Sequence, residues 1–491
     1  MHLQRIQVPD FRVLKNVDIT FEKKFVPSIF PLGSQNGGGK STLLQLIFVL
    51  LHCSSDPDKI PFLKNILYGL KIYDDSEKRV LAIFDIWDGE KIINLEFFCR
   101  KDSSIQELLG ANNDDETIDY SDFRFSVPNK LEEFKTKLVV LKEESSNLAQ
   151  LERNLKEKKE KDIIIEVKAS NQRLEENGIF LIAVDNIRKA FIDEGINYPL
   201  SDSISMIVKD IKERIKFYQE KQNKIENILP KIIEYMKTEK LLYISNYSSH
   251  ENGSEDEVLL CHINDLDITE SKLFLNKLSQ KIFLAAPATQ IFIFMSKDSR
   301  KLLLKAAPKE DNNYYSEIQD VKSKITSLFT YDFLSVELII KAFLDARDQD
   351  FIEAIETGEY GNNYKAIKRE LNQILYNKKI NIDKEFSEIT FKLDRNGETI
   401  ELSPEDLSHG ELKRLSIYMW LKYRNIENAI VLMDEIEIAF HPDWQYQIIS
   451  DLKEWSPSNQ YILATHSYEL CQALTPAHVK ELEPKLLKQE V

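Results

Sequence analysis

A glycine cluster between two apolar segments constrains this chain more than any other feature of its sequence. The segment reads PLGSQNGGGKSTLLQL, where a strand-like run, FVPSIF, precedes the glycines and a helix-like run follows them. Backbone N–H groups of such a turn form a concave anion nest, and the N-terminus of the following helix adds a partial positive charge. The flanking elements favour a phosphate-binding loop over the alternative, a chance glycine-rich turn.

Within this segment the residues follow the GxxxxGK[ST] pattern of a P-loop, with one departure. Ser34 occupies the position of the first glycine, and Gly33 lies one place earlier, so we expect a tighter first turn. In such a loop a lysine reaches the terminal phosphates of a nucleotide, and the next hydroxyl binds Mg²⁺. The predicted nucleotide-binding residues are Asn36, Gly37, Gly38, Gly39, Lys40, Ser41 and Thr42.

A second motif, AIVLMDEIEIAFHP, places two carboxylates after an apolar strand, predicted to run from Ala429 to Met433. Asp434 is predicted to order Mg²⁺ together with Ser41, and Glu435 to act as the catalytic residue that polarises the attacking water. Many parallel strands end in acidic residues for structural reasons. The presence of a phosphate-binding loop in the same chain favours the catalytic interpretation of this motif.

Two further motifs lie on either side of that strand. In DLSHGELKRLSIYMW, the turn of Ser408, His409, Gly410 and Glu411 opens a helix whose free N–H groups suit a γ-phosphate. The same spacing is a capping box, and a cap can still present its remaining N–H groups to an external anion. YILATHS is an apolar strand that ends at His466, a second catalytic candidate that could sense the γ-phosphate or position water. A lone histidine is more often structural, and the order of the motifs favours the functional interpretation.

Composition limits where the protein acts and what it binds. The 491 residues carry a net charge of −16, so binding to nucleic acid requires a local basic face. The basic run KEKKEK at 156–161 could contact phosphates, but two glutamates dilute it and favour a solvated helix face. The N-terminus lacks the apolar core of a signal peptide, and no apolar run approaches the roughly 20 residues of a membrane span. We therefore expect a cytoplasmic protein without a membrane partner, and we expect its four scattered cysteines to be reduced and buried.

The middle of the chain carries two helical patterns in which apolar residues recur every three or four positions. The first comprises Phe134, Leu138, Leu141, Leu148 and Leu155, and the second Ile204, Ile207, Ile211, Ile215, Tyr218, Ile225, Leu229 and Ile232. They predict an antiparallel helical pair joined through a β-like stretch, GIFLIAV. Either an ordinary helical subdomain or a projecting coiled coil of about 45 Å fits this pattern.

Other segments give coarser expectations. Two hairpins are predicted, one turning at 88–90 and one at 396–397. QKIFLAAP and TQIFIFMS are predicted as strands, 317–377 as helical, and the polar stretch 247–257 as a linker.

The order of the motifs resembles that of ATP-binding-cassette ATPases, in the soluble branch of SMC, RecF and OLD-type proteins. Asp10 to Arg12 before an amphipathic strand, the helical insertion, and the run from Glu435 to His441-Pro442 carry this resemblance. Ile436 replaces the proline usual in that run. The segment LGSQNGGGKST is similar to the corresponding segment of AAA-type ATPases found beside bacterial restriction and anti-phage systems, including Septu-type ATPase subunits.

This resemblance implies an α/β fold: a P-loop NTPase with an ABC-ATPase head, in which helices flank a mixed β-sheet, and a helical insertion. The expected domains are 1–128, the N-terminal head with the P-loop, and 129–246, the insertion. The head and its helical lobe continue over 247–401, and 402–491 carries the signature turn, Asp434 and His466. ATP and Mg²⁺ are the implied cofactors. The glutamine that usually links the metal to the helical lobe is either Gln106 or Gln290.

The resemblance also implies that two heads close around ATP as a homodimer or higher homo-oligomer, with Ser408 to Glu411 of each facing the partner's P-loop. The 25 residues after His466 are too few for the Toprim nuclease of OLD-type proteins, so we expect a separate effector, a nuclease. The leading hypothesis is an ATP-hydrolysing switch in bacterial anti-phage defence. The alternative is a DNA-repair or chromosome-maintenance clamp of the SMC/RecF type, with DNA as a partner; the insertion disfavours a transporter cassette.

Overall fold

The structure, a computed structural model, describes residues 1–34, 37–72, 78–110, 123–154, 160–180, 200–248, 257–296, 299–300, 314–331, 336–375, 377–395 and 398–482. The chain divides into two compact units, which we call the head, Met1–Arg100 with Lys240–Val491, and the helical unit, Lys101–Glu239. Several predicted features lie outside the described residues: Asn36, the turn at 396–397, Leu155 of the first helical series, residues 181–184 of GIFLIAV, residues 156–159 of the basic run and residues 249–256 of the polar stretch.

The strands are β1 (His2–Phe11), β2 (Leu14–Thr20), β3 (Ile29–Gly33), β4 (Arg79–Trp87), β5 (Ile92–Lys101), β6 (Leu241–Tyr247), β7 (Glu257–Ile263), β8 (Ile282–Ala286), β9 (Leu328–Thr330), β10 (Lys378–Ile382), β11 (Ile389–Arg395), β12 (Glu398–Leu402), β13 (Ile430–Asp434), β14 (Gln460–Ala464) and β15 (Lys480–Glu481). The α-helices are α1 (Lys40–Phe48), α2 (Ile60–Leu67), α3 (Ile105–Gly110), α4 (Val127–Arg153), α5 (Glu160–Glu176), α6 (Leu200–Thr238), α7 (Ile268–Ser279), α8 (Tyr314–Lys324), α9 (Val336–Thr357), α10 (Asn363–Ile374), α11 (His409–Tyr423), α12 (Pro442–Trp455) and α13 (Tyr468–Gln472).

The head is built on a parallel sheet with the strand order β15-β3-β14-β13-β8-β9. Every residue of β13 and β14 is buried, as expected for parallel strands that are covered on both faces. A second sheet, β2-β1-β4-β5-β7-β6, contains the antiparallel pairs of the N-terminal region, and β10-β11-β12 form a small meander. The Gln460 amide joins the two large sheets, since it accepts from Leu3 N at 2.7 Å and donates to Leu3 O at 2.8 Å.

Two apolar cores hold the head together. One contains buried residues of α1, α2, α7 and the antiparallel sheet, together with Phe30 and Leu32 of β3. The other contains residues of α9 to α12 and of the parallel strands, where Trp420 stacks on Phe329 at 5.0 Å between ring centroids. The parallel sheet therefore supplies residues to both cores, and this fixes its strand ends in a rigid frame.

In the helical unit, α4, α5 and α6 share one buried apolar cluster. Leu141 and Leu148 of the first predicted series meet Ile204, Ile207 and Ile211 of the second there. A third helix, α5, adds Leu174 to the same cluster. This packing agrees with a helical subdomain; a projecting coiled coil stays a prediction.

The predicted fold class is confirmed: helices flank mixed sheets in an α/β head, and a helical unit is inserted into it. The hairpin pairs β4–β5 and β11–β12 form as expected, and Trp87 pairs with Ile92. The compact units divide at 100/101 and 239/240, before the predicted limits of the insertion. β6, which was predicted to belong to the end of the insertion, pairs antiparallel with β7 and joins the antiparallel sheet of the head.

Three expectations about local structure were wrong. TQIFIFMS forms a 3₁₀ helix, Ala288–Ile293, because Ile291 and Phe294 are spaced to bury one face of a helix. The stretch 247–257 connects β6 to β7, whose end residues Tyr247 and Glu257 pair, so it is no interdomain linker. The region 317–377 contains a short strand, β9, at the edge of the parallel sheet.

Cys53, Cys99 and Cys261 are buried free thiols, and Cys471 is partly buried. Burial raises the pKa of Cys53 and of Cys99 to about 12, which keeps both thiols protonated and inert. Among the described residues, no helix is both long and apolar enough to span a membrane.

Candidate nucleotide-binding site

The site lies where four parallel strands end. The P-loop follows β3, the 3₁₀ helix follows β8, Asp434 ends β13, and His466 follows β14. These strands are neighbours in the order β3-β14-β13-β8. Because parallel strands share one carboxyl edge, segments that are far apart in sequence meet there, as ligand sites of such sheets do.

The P-loop requires glycine at two described positions. Gly37 and Gly39 have φ values of 82° and 91°, in the left-handed region that L side chains rarely adopt. A Cβ on Gly39 would also lie 2.6 Å from Leu14 Cδ2. Gly39 is the N-cap of α1, and no described side chain caps that terminus. The first N–H groups of α1 are therefore suited to a phosphate.

Lys40, only 6% exposed, is held by the residue that departs from the P-loop pattern. Its Nζ donates to Ser34 O and to Ser34 Oγ, each at 3.0 Å, and lies 3.5 Å from His466 Nδ1. The hydroxyl that replaces the usual glycine thus orients the lysine. A nucleotide phosphate would compete with Ser34 for the same ammonium.

Ser41 and Asp434, the two predicted metal ligands, are hydrogen-bonded to each other and to Gln290 in one group. Ser41 Oγ donates to Asp434 Oδ1 at 3.0 Å, and Gln290 Nε2 donates to Asp434 Oδ2 at 2.9 Å. Gln45 of α1 hydrogen-bonds Gln290 Oε1. Gln106 belongs to the helical unit and donates to Phe123 O at 3.3 Å. Of the two candidate glutamines, Gln290 is the one beside Asp434.

Asp434 lies in an electrostatic setting that favours a cation. Burial raises its pKa to about 6, and the charges of Glu435 and Glu437 add to that rise, while the hydrogen bond from Ser41 opposes it. Glu437 Oε2 is buried without a hydrogen-bond partner among the described residues. Mg²⁺ prefers such hard oxygen donors and favours the ionised carboxylate. The residues present therefore fit Mg²⁺, and Ser41 and Asp434 are the ones that would hold it.

Glu435 begins a strained turn. Its φ is 51°, that of Ala439 is 72°, and each left-handed non-glycine residue costs about 1 kcal/mol or more. Its N–H donates to Ala464 O at 2.9 Å, and the side chain is partly exposed. Glu437 in the same turn accepts from His466 N at 2.7 Å. The loop that carries the exposed imidazole is thereby attached to the turn that carries Glu435.

The predicted signature turn is a complete capping box. Ser408 Oγ accepts from Glu411 N at 3.3 Å and donates to Glu411 Oε2 at 2.9 Å, while Lys378 Nζ donates to Glu411 Oε1 at 2.5 Å. Ser408 and His409 are nevertheless exposed, whereas Gly410 is buried. The turn can meet an anion supplied from outside its own chain.

A comparison with known protein families shows to which class of ATPase the chain belongs. The family described as "AAA domain, putative AbiEii toxin, Type IV TA system" matches residues 189–472, more than half of the chain. The chain belongs to this family. The match confirms the predicted class, an AAA-type ATPase.

Two curated relatives share a short stretch with this AAA-domain protein. "Retron Vc95 probable ATPase" of Vibrio cholerae serotype O1 biovar El Tor is 33% identical over 91 residues, covering 16% of this chain and 18% of that protein. "Retron Ec83 probable ATPase" of Escherichia coli is 32% identical over 98 residues, covering 18% of each. The chain thus spans less than a fifth of these relatives.

Solved structures align along most of the AAA-domain protein with low scores. The Smc head domain of Pyrococcus furiosus bound to the C-terminal domain of ScpA covers 96% of this chain and 91% of that chain, with 13% identity and a TM-score of 0.30. The recombination mediator RecF covers 96% and 94%, with 13% identity and a TM-score of 0.22. The family assignment rests on the family match.

The AAA-domain fold brings together residues from three of the four predicted motifs: Lys40 and Ser41, Asp434, and His466. The turn at Ser408 is linked through α11 to the Glu435 turn, since Lys413 of that helix donates to Glu435 O. Gly38 and Thr42 are partly exposed in the loop and in the first turn of α1. The roles of Gln45 and Lys413 were missed, because no motif marks them.

Proposed function

We propose that this AAA-domain protein binds ATP with Mg²⁺ at the carboxyl edge of its parallel sheet and hydrolyses it to ADP and phosphate. The observation that carries the proposal is the hydrogen-bonded group of Ser41, Asp434 and Gln290 at the same strand ends as Lys40, whose Nζ lies 3.5 Å from His466. The site combines a buried cation, an open helix N-terminus and hard oxygen donors. A triphosphate with its metal requires these three groups.

Each residue has a separate task in the proposed reaction. Lys40 exchanges Ser34 for the terminal phosphates, and the first N–H groups of α1 bind the phosphate oxygens. Mg²⁺, when bound, neutralises charge on the phosphates. Glu435 orients the attacking water and takes its proton, and His466, 3.5 Å from Lys40, acts near the γ-phosphate.

We further propose that two copies close around ATP. Ser408 and His409 are exposed at the N-terminus of α11, where the capping box satisfies Glu411 N and leaves other N–H groups for an anion. ATP becomes an interface ligand if the turn of one copy meets the nucleotide held by the other. Binding then stabilises the closed dimer, and hydrolysis releases it.

The biological role proposed is a switch in bacterial anti-phage defence that acts in the cytoplasm on a separate effector, a nuclease. The retron ATPases that share a stretch with this chain support a place in a multi-component system. Co-purification with a nuclease, and nuclease activity that depends on Glu435, would support this role. Wild-type effector activity with the Glu435→Gln variant in every nucleotide state would exclude it.

A clamp on DNA is the second candidate, and a groove of the helical unit favours it. The groove lies between α4 and α6, has a volume of about 400 Å³, and is lined by Arg124, Lys130, Lys221 and Lys224 over an apolar floor. Its one acidic residue, Glu133, is paired with Lys137 at 2.5 Å. This is a local basic face on an acidic protein. Salt-dependent DNA binding that is lost when Lys221 and Lys224 are both changed to Glu would support the clamp.

Complementation between variants tests the ATPase and the dimer together. Lys40→Ala removes the phosphate cation of its own copy, and Ser408→Arg blocks only the turn offered to the partner. Each variant alone should be inactive, and a mixture should recover part of the turnover, because one mixed site pairs an intact P-loop with an intact turn. A mixture that stays inactive would contradict shared sites, and turnover by Ser408→Arg alone at the wild-type rate would do so too.

A further inference from the structure

Lys413 is a buried lysine whose ammonium group meets carbonyl oxygens. It is only 4% exposed, and its Nζ donates to Glu435 O at 2.9 Å and to Ile438 O at 3.1 Å. The ammonium also lies 4.0 Å from the centroid of the Tyr331 ring. Burying a lysine is costly unless its charge is compensated. These contacts compensate it and direct it at one short turn.

That turn needs support from outside. Glu435 and Ala439, near its two ends, both adopt left-handed backbone conformations. Such conformations persist only where the surrounding structure imposes them. The bonds from Lys413 hold two carbonyl groups of the turn, one of them that of the predicted catalytic glutamate. The position of the Glu435 carboxylate therefore depends on Lys413.

Lys413 lies on the same helix as the signature turn. Ser408 caps α11, and Lys413 follows it within the first turns of that helix. Gly410 makes a second tight contact, since a Cβ there would lie 2.7 Å from Ala439 O. The N-terminal part of α11 and the turn 435–439 are thus joined at both ends of the turn. A displacement of one is transmitted to the other.

We infer that Lys413 is a positioning residue that couples the signature turn to the catalytic glutamate of the same copy. The inference rests on the proposed ATP dimer. The Ser408 turn of a copy meets the partner's nucleotide, while Glu435 acts on that copy's own nucleotide. Through Lys413, nucleotide bound at one site aligns the glutamate at the other, so that the two sites of the dimer hydrolyse ATP cooperatively.

Lys413→Met tests this, because methionine keeps an apolar stem in the core and removes the ammonium group. A misplacement of about 1 Å can cost about 10²-fold in rate, so we expect kcat to fall by about tenfold or more. The Kd for ATP of the isolated copy should stay unchanged, and the Hill coefficient should fall towards one. Lys422→Met, at an exposed position of α11, is the matched control and should retain wild-type kcat and cooperativity.

Three further measurements keep the outcome decisive. Turnover is expressed per ATP-binding site, so that unfolded protein cannot imitate a lower kcat. In a Glu435→Gln background, Lys413→Met should cost nothing more, because both changes remove one function. Lys413→Arg, which keeps a donor, should recover part of the rate and replaces Lys413→Met if that variant does not fold.

Wild-type kcat in the Lys413→Met variant would overturn the inference, as would a wild-type enzyme without cooperativity. An unchanged Hill coefficient in that variant would overturn the coupling. Failure of the proposed function looks different: wild-type protein would not hydrolyse ATP, or Glu435→Gln would hydrolyse it normally.

Discussion

Two buried carboxylates, one in each unit, have surroundings that shift their pKa values in opposite directions. In the helical unit, the Glu144 side chain is 3% exposed and accepts hydrogen bonds from Arg173 at 2.6 and 3.0 Å and from Ser170 at 2.6 Å. Burial raises its pKa, but these bonds outweigh that effect and hold the pKa below its usual range. In the head, burial raises the pKa of Asp434 to about 6, and neighbouring carboxylates add to the rise.

The difference separates a structural charge from a functional one. Glu144 has an arginine partner, so its charge stabilises the packing of α4 against α5. Among the described residues, the hydrogen-bond donors to Asp434 are the neutral side chains of Ser41 and Gln290. Two further carboxylates raise its pKa, and the nearby charge of Lys40 offsets this only in part. A site that is unfavourable to its own charge gains most from a cation. The head therefore gives up stability where the proposed Mg²⁺-ATP would restore it.

The largest effect is expected at the cation of the head site. Lys40→Ala should abolish ATP binding, because the loop loses the buried charge that offsets the triphosphate. Lys24→Ala, which changes an exposed lysine of the head, is the control and should bind ATP like wild type. Undiminished binding of labelled ATP to Lys40→Ala would contradict the P-loop assignment. The interpretation of Asp434 as a functional charge would then lose its basis as well.

The next effect is a loss of stability in the helical unit. Glu144→Gln keeps the shape of the side chain and weakens charge-assisted hydrogen bonds, which typically contribute about 1.5–3 kcal/mol. Unfolding by urea should register a loss of this size, while the affinity for ATP should stay unchanged. Glu143→Gln changes the exposed neighbour and should be neutral. Equal stability of the two variants would show that the Glu144 bonds contribute nothing.

Asp434→Asn should change the stability of the protein in the opposite direction and make it more stable. Without nucleotide or Mg²⁺, the change removes a disfavoured charge, and at about 1.4 kcal/mol per pKa unit the upper limit of the gain is about 3 kcal/mol at neutral pH. The amides of Gln290 and Gln45 must reorient around the new amide group, which reduces this gain. A higher melting temperature without ligand, together with a lost stabilisation by Mg²⁺-ATP, is the expected pair of results. A variant less stable than wild type at neutral pH would contradict the account.

The same difference should depend on pH. The pKa of Asp434 in the folded protein, about 6, lies above the ordinary aspartate value of 3.8, so the folded state binds the proton more tightly. Stability linked to this group is present at low pH and is lost as pH rises through about 6. The stabilisation by Asp434→Asn should therefore be greatest above pH 7 and shrink towards pH 4. A gain that does not change with pH would show that charge is not its cause.

Much of the candidate site could be predicted from the sequence alone, because each motif is one continuous segment of the chain. Lys40 and Ser41 follow one strand directly, Asp434 ends another, and His466 follows a third, so reading the strand ends was enough. Gln290 could not be chosen over Gln106, because the choice depends on β8 lying beside β13. That neighbourhood is a property of the topology.

Short apolar runs were ambiguous for a related reason. TQIFIFMS has the composition of a strand, yet packing of Ile291 and Phe294 makes it a 3₁₀ helix that directs Gln290 at Asp434. Lys413 carried no signal, since a lysine in a helix is usually exposed, and only the fold shows the carbonyls around it. What the sequence missed are the residues whose partners lie in other elements.

The most direct test of the central claim uses Glu435→Gln, which keeps the size of the proposed base and leaves Ser41 and Asp434 in place. Loss of general base catalysis typically costs about 10²–10⁴-fold in rate, so ATP should persist in the closed state. Size-exclusion chromatography with light scattering should show a larger species with Mg²⁺-ATP and only then, whereas Asp434→Asn should show no shift. Normal ATP hydrolysis by Glu435→Gln, or an unchanged mass with Mg²⁺-ATP, would contradict an ATP-closed dimer.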